Sequence, residues 1–281
     1  KTTARLTEVG LAVNWNTMLS TDSPLNRLPS NLHPNQVLLL DGIRTCALIA
    51  KDKTLQLYGQ LHSISFTEKP PPSHLVFDCA WSIIDSAYRF QKLARIFSKY
   101  TGCSINQVSL SSIGQVRELR NTLQHLDERI AQEAMMNAST VPFGQIGWIA
   151  RASASDDRGQ MFSMTCGYYP FPEQTFNGSN PCGRTLLNTI DRVALTALGR
   201  DTGGSYSLLT ISIEEVLTAM KTCLYEVETF ADERLATMPD AARMPLDNLM
   251  HVSFHSLTST NCVVSNDVQF KVRTFPQLSV A

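Results

Sequence analysis

At 281 residues, 43% hydrophobic and 17% charged, the chain has ordinary globular composition, which excludes a disordered polymer and leaves room for one large domain or two small ones. Its 24 Lys and Arg against 25 Asp and Glu give a net charge of −1, so no bulk basic field directs it to nucleic acid or an anionic membrane. Any phosphate ligand must be met by a local patch. Seven Cys, an odd number with no C-x-x-C and no zinc-type spacing, read as small core residues in a reducing compartment. Apolar runs such as Val37 to Leu40 are far too short to span a bilayer, so a soluble, cytoplasmic protein is expected. A start at Lys1 rather than Met leaves a trimmed targeting segment open.

Residues 1–33 carry only a weak pattern, with Leu6, Val9, Leu11, Val13 and Trp15 hinting at a short strand or helix. From Gln36 the apolar positions Leu39, Ile43, Ala47, Ala50, Leu57 and Leu61 predict one long helix or two shorter ones, with Lys51-Asp52-Lys53 as the place of a break. Pro70-Pro71-Pro72 is a firm stop, because each ring removes a donor and fixes an extended backbone. Ser73 then reads as an N-cap for a helix running to about Tyr100, with Val76, Ala80, Ile83, Ala87, Phe90, Ala94 and Phe97 inward and Gly102 ending it. Asp85 and Arg89 are four apart and can pair. Arg89, Lys92, Arg95 and Lys99 give this helix a basic side, which is either a solvated face or a phosphate contact.

The next helix is predicted from Asn106 to about Ala138, loosened near Gly114. Val116, Leu119, Leu123, Leu126, Ile130 and Ala134 recur at spacings of three and four and form one apolar stripe. Arg117, Asn121, Gln124, His125, Glu128 and Gln132 fall on the opposite side, with Arg120 at its border. The two helices should pack as an antiparallel pair.

After Pro142 the period changes to two. Gln145 to Arg151 and Gln160 to Tyr169 read as one hairpin, and Arg192 to Leu198 with Tyr206 to Ile211 as a second. Leu186-Leu187-Ile190 reads either as part of this region or as the start of a helix. Ser212-x-x-Glu215 is a capping-box pattern opening another helix through Val216, Met220, Leu224, Val227, Ala231 and Leu235. Residues 238–248 form a Pro-containing link, and Met250 to Phe254 with Cys262 to Val272 reads as a terminal hairpin. The expected architecture is mainly α with inserted β, an α+β fold in one integrated domain. A helical bundle over 34–140 and 212–237 carries a small antiparallel sheet at about 143–211 and a hairpin at about 249–273.

The chemistry-bearing stretch is Arg120-Asn121-Thr122-Leu123-Gln124-His125. On a helix Asn121 and His125 stack one turn apart, so a guanidinium, an amide and an imidazole share a face. A polar helix face is most often simply solvated, and residue types alone do not decide between that and a site. The stretch resembles the Arg-polar-x-x-x-His signature of the HEPN superfamily, and Leu126-Asp127-Glu128-Arg129 is similar to uncharacterised bacterial relatives of it. The resemblance covers the motif helix and the helix before it. It implies a helical bundle and a metal-independent endoribonuclease that needs no cofactor, active as a homodimer in which two motif helices face each other. In that reading His125 is the general acid or base, Arg120 the phosphate clamp and Asn121 the positioning group, with Arg117, Gln124, Arg89, Lys92 and Arg95 holding RNA. Histidine suits the role because its ordinary pKa near 6.5 lets it give and take a proton at neutral pH. A toxin or defence role with an antitoxin or inhibitor partner would follow for the active form. Other members of the superfamily bind a nucleotide or a partner protein without catalysis, and that alternative stands beside the nuclease.

Other constellations carry less. His251-x-x-x-His255 has no third ligand indicated nearby, so no metal is expected. Gly199 to Ser205 lacks the Lys-Ser/Thr ending of a phosphate loop and reads as a hairpin turn. There is no G-x-S-x-G elbow.

Overall fold

A short strand β1 (Arg27–Pro29) leads into two long helices, α1 (Pro34–Phe66) and α2 (Ser73–Thr101), which make the most extensive contact among the described elements. This computed structural model describes residues 18–29, 32–66, 71–128, 130–131, 143–151, 159–165, 189–200, 206–235, 243–245, 253–254 and 270–271. The two helices run antiparallel: Lys53 Nζ meets Asp78 Oδ2 at 2.6 Å near the start of α2, while Gly42 near the start of α1 lies against Leu93. The helix passes through Lys51-Asp52-Lys53 unbroken, since Leu57 and Leu61 beyond it continue the buried stripe at 0% exposure. At the head of α2 the expectation needs correcting. Ser73 is the first helical residue and Pro72 stands in the cap position, with φ −56° and ψ 134° and no side-chain cap. The ring fixes φ while ψ stays extended, and the Pro72 carbonyl accepts from Leu75 N–H at 3.0 Å. Gly102 closes α2 at φ +72°, its N–H donating to the Ser98 carbonyl.

The chain then folds back along α2 as α3 (Gln107–Gly114) and α4 (Val116–Gln124), not as one helix from Asn106 to Ala138. Asn106 caps α3 by accepting from Ser109 N–H at 3.0 Å. At the joint, Gln91 of α2 donates its side-chain Nε2 to the Leu110 carbonyl at 2.6 Å. Gly114 makes room for this, because a Cβ there would lie 2.6 Å from that nitrogen. A side-chain donor inserted beside a helix's last turn shifts its axis, and Gln115 N–H bonds back only three residues, to Ser112 O. The second break is at His125, with φ −113° and ψ 42°. Residues 126–128 are helical again, and the stretch expected to continue through 132–138 lies outside the described residues. The inward set differs from the apolar stripe read from the sequence. Val116, Leu119 and Thr122 are buried, Leu123 and Leu126 only half-buried, and Ile130 is 44% exposed. Thr122 donates its hydroxyl to the Leu198 carbonyl, so α4 is rolled until a small polar side chain meets the sheet.

The sheet holds β2 (Gln145–Arg151), β3 (Gly159–Thr165), β4 (Thr189–Arg200) and β5 (Tyr206–Ser212), antiparallel in the order β3-β2-β4-β5. Ile190, offered as a helix start, lies in β4; Leu186 and Leu187 lie outside the described residues. Gly144 enters β2 at φ +84°, where a Cβ would come within 2.5 Å of the Thr196 carbonyl. Between β2 and β4 the register slips: Gly147 faces Ala194 and Ile149 faces Asp191, so Trp148 opposes both Arg192 and Val193. Arg192 absorbs this bulge at φ +52°. The Val193 N–H released from the ladder donates to Glu214 Oε1 at 2.7 Å.

Glu214 sits in the first turn of α5 (Ile213–Leu235), whose start matches the capping pattern, Glu215 N–H reaching Ser212 Oγ at 3.3 Å. Besides Val193 it accepts from the Tyr58 hydroxyl of α1 and from Ser212 Oγ, so one carboxylate ties helix α1, the bulge and α5 together. Burial pushes the Tyr58 phenol well above its ordinary pKa, helped by the neighbouring Glu214, and fixes it as the donor. Trp148 donates its indole N–H to Ser65 Oγ at 3.0 Å and stacks on Phe162 at 5.4 Å between centroids. Ile146, Trp148, Val193 and Leu195 from the sheet, Phe90 and Phe97 from α2, and Leu217, Met220 and Val227 from α5 belong to one buried cluster. The expected mainly α fold with an inserted antiparallel sheet is therefore found.

Two pairings flank this body. Strand β1 pairs antiparallel with β6 (Arg243–Pro245) inside the link predicted at 238–248, and β7 (Ser253–Phe254) pairs with β8 (Phe270–Lys271), the described part of the terminal hairpin. Cys46, Cys79, Cys103 and Cys223 are buried free thiols, with burial pushing Cys46 up to about 11 and Cys223 up to about 12. Among the described residues no helix is long and apolar enough to cross a membrane.

The Glu214 junction gives a direct stability test. Glu214→Ala strands the Tyr58 hydroxyl and the Val193 N–H, and should cost about 2–4 kcal/mol in urea unfolding. Tyr58→Phe, which leaves Glu214 its bond to Val193, should cost only about 1 kcal/mol. Equal effects of the two changes would show that the bulge does not depend on Glu214.

Candidate functional site

The solvent side of α2 and the neighbouring side of α4 form a single surface. Arg89, Lys92, Arg95 and Lys99 of α2 are exposed at spacings of three, three and four, which places them along one side of the helix. Antiparallel packing brings Arg120 of α4 to the Asp85–Tyr88 end of that row and leaves Gly114 near Arg95.

Asp85 is the hinge of the arrangement. Its Oδ2 holds Arg89 Nε at 2.7 Å, the pair expected from sequence, and its Oδ1 holds Arg120 Nε at 3.5 Å. The Arg120 guanidinium also donates to Gln124 Oε1 and lies over the Tyr88 ring at 4.8 Å, with Lys92 Nζ at 4.9 Å from the same ring. Arg120 is thus fixed from three directions by its own subunit and keeps 21% side-chain exposure. Cation–π contact and partial desolvation make this a firmer placement than an ordinary surface pair.

Asn121 lies within α4, one position after Arg120, and His125 is the C-cap of the same helix. His125 caps the helix with non-helical φ and ψ, its N–H donating to the Asn121 carbonyl at 3.0 Å, and its imidazole faces Glu128, Nδ1 to Oε1 3.7 Å, at 55% exposure. The bond between Asn121 and His125 is made by backbone atoms. Arg117 stands 66% exposed beside Glu118, Nε to Oε1 3.8 Å. Of the residues singled out from sequence, Arg89, Lys92, Arg120 and Gln124 come together around Asp85 and Tyr88 and Arg95 continues the row, while Arg117 pairs with Glu118 and His125 faces Glu128. Asp85 was legible only as the partner of Arg89. Tyr88, buried and ringed by two cations, gave no signal, because nothing in the sequence says which aromatic on α2 will lie under α4.

The balance of charge decides what this surface can do. Asp85 offsets part of Arg89 and Arg120, and Glu118 offsets Arg117. Lys92, Arg95 and Lys99 have no carboxylate partner among the described residues, so the middle and end of the α2 row remain net cationic. Such a row can hold successive phosphates of a strand. Among the described residues no group of three or more His, Cys, Asp or Glu side chains is arranged to hold a metal ion, and His251 and His255 lie outside them. No family model, no curated protein and no solved structure matches this chain.

The role of Arg120 as a fixed element of its own subunit has a measurable consequence. Arg120→Ala should destabilise the protein by about 1 kcal/mol, and a cycle with Asp85→Ala should return a coupling of about 0.5–1 kcal/mol in thermal or urea unfolding. A coupling of zero would mean that the guanidinium is free for a ligand instead.

Proposed function

We propose that this chain is a HEPN-like module that binds RNA through phosphate contacts on the α2 row, with Lys92 and Arg95 as principal contacts and Arg89 at the flank. The observation that carries this reading is the run of exposed cations on one rigid helix, three of them without a carboxylate partner among the described residues. The fixed Arg120 and Gln124 then serve to hold Tyr88 and Asp85 in place at one end of the row. With an overall charge of −1, binding depends on this local patch and should be strongly sensitive to salt.

Metal-independent RNA cleavage is the second reading, and the open, 55% exposed imidazole of His125 favours keeping it. One chain cannot surround a phosphodiester with these groups, since Arg120 is turned to α2 and His125 to Glu128. Cleavage therefore needs a homodimer that brings a second His125 to the first, one imidazole accepting the 2′-hydroxyl proton and the other protonating the leaving oxygen.

Fluorescence anisotropy with a labelled RNA oligonucleotide tests the primary reading. Lys92→Ala and Arg95→Ala should each weaken binding several-fold and lower the slope of log K against log salt by roughly 0.7. Slopes equal to wild type would remove these residues from the interface. Incubating RNA in EDTA tests the second reading: wild type should cleave, His125→Ala should lose at least about 100-fold, and the rate should rise with the square of protein concentration at low dimer occupancy. An intact substrate with wild type would leave a binding module without catalysis.

A further inference from the structure

Two side chains in the cation row are not charged. Tyr100 is 64% exposed and Ile96 46% exposed, four residues apart and hence neighbours on the surface of α2. They lie among Lys92, Arg95 and Lys99 at the end of the helix that Gly102 closes. Lys92 to Tyr100 spans eight residues, about 12 Å along the axis. The contrast with Tyr88 is informative. Tyr88 is 8% exposed and its ring is occupied by Lys92 and Arg120, whereas no described ring or cation lies against Tyr100. A large exposed apolar side chain is unremarkable alone. An aromatic ring backed by a branched aliphatic residue and bordered by cations that have no carboxylate partner among the described residues is the combination that takes a nucleobase and its phosphate together.

We infer that Tyr100, backed by Ile96, is a base-stacking platform at the end of the α2 row, so that the ligand of this surface is a single strand with unstacked bases. The inference rests on the phosphate-binding reading of the same row and adds the requirement for an open base face. In a duplex the bases are stacked on one another and present only edges and backbone, so Tyr100 would gain nothing from it. Arg95 and Lys99, stacked one turn apart, hold the phosphates that flank the stacked base. Stacking on an aromatic ring tolerates any base, so the preference is for strandedness and not for sequence.

The test uses the full chain, with a labelled twelve-residue oligouridylate, the corresponding DNA strand, an RNA duplex of the same length, inorganic polyphosphate and polyglutamate as probes. Tyr100→Ala should weaken binding of the RNA single strand about ten-fold and leave polyphosphate binding unchanged. Tyr100→Phe and Tyr100→Trp should keep wild-type affinity, because the ring and not the hydroxyl makes the contact, and both also control for loss of fold. Equal loss on the RNA and DNA strands supports stacking, and a loss confined to RNA supports it with an added 2′-hydroxyl contact. Wild-type affinity in Tyr100→Ala while Arg95→Ala weakens the strand would overturn the platform and leave the phosphate reading standing. Duplex binding as tight as single-strand binding would also overturn it. Failure of both Arg95→Ala and Lys92→Ala to change anything, with no binding of polyphosphate, would overturn the reading beneath it. Displacement of the strand by polyglutamate with the same sensitivity to Tyr100→Ala would overturn it in favour of an acidic protein partner.

Discussion

The two oxygens of Asp85 decide how charge is distributed over the candidate surface. One holds Arg89 from the next turn of its own helix, and the other holds Arg120 from a helix that arrives antiparallel. This fixes α4 against α2 at its far end, as Gln91 fixes α3 nearer the turn by donating to the Leu110 carbonyl. It also divides the cations into two sets. Arg89 and Arg120 are held by a carboxylate, whereas Lys92, Arg95 and Lys99 have no carboxylate partner among the described residues.

The sheet matters to the surface through one hydroxyl. Thr122 donates to the Leu198 carbonyl in β4, and that bond sets the rotation of α4. Strand β4 is itself held by the bulge at Arg192 and Val193, where Glu214 takes the N–H that the ladder has lost. A backbone N–H without a partner in a half-buried position is costly, so the bulge persists because α5 starts beside it with a carboxylate in its first turn. The same carboxylate accepts from Tyr58 of α1. Helices and sheet therefore share their polar contacts as well as their hydrophobic core.

Periodicity was a good guide where burial alone decides structure. It located α2 with Gly102 at its end, the strands β2 and β5, and the capping pattern that opens α5. It failed where a polar side chain overrode the apolar stripe. The stripe through Leu123, Leu126 and Ile130 asks for one continuous helix, but Gln91 enters beside Gly114 at the first break, Thr122 turns inward to bond β4, and a second break falls at His125. Both partners are distant in sequence, which is why no local pattern announces them. Arg120 and Asn121 remain on one unbroken helix whose C-cap is His125, and the break near Gly114 lies before all three.

The amino-acid sequence by itself determined the class of fold and the existence of a basic side on α2, because both follow from residue spacing within single elements. It determined also that Asp85 and Arg89 would meet, for the same reason. Only the tertiary structure decided that Arg120 belongs to Asp85 and Tyr88, that His125 turns out toward Glu128, and that Tyr88 is covered while Tyr100 is open. These outcomes depend on how one helix is rotated against another. That rotation is set by a few hydrogen bonds between residues far apart in the chain, where the spacing of apolar residues carries no information.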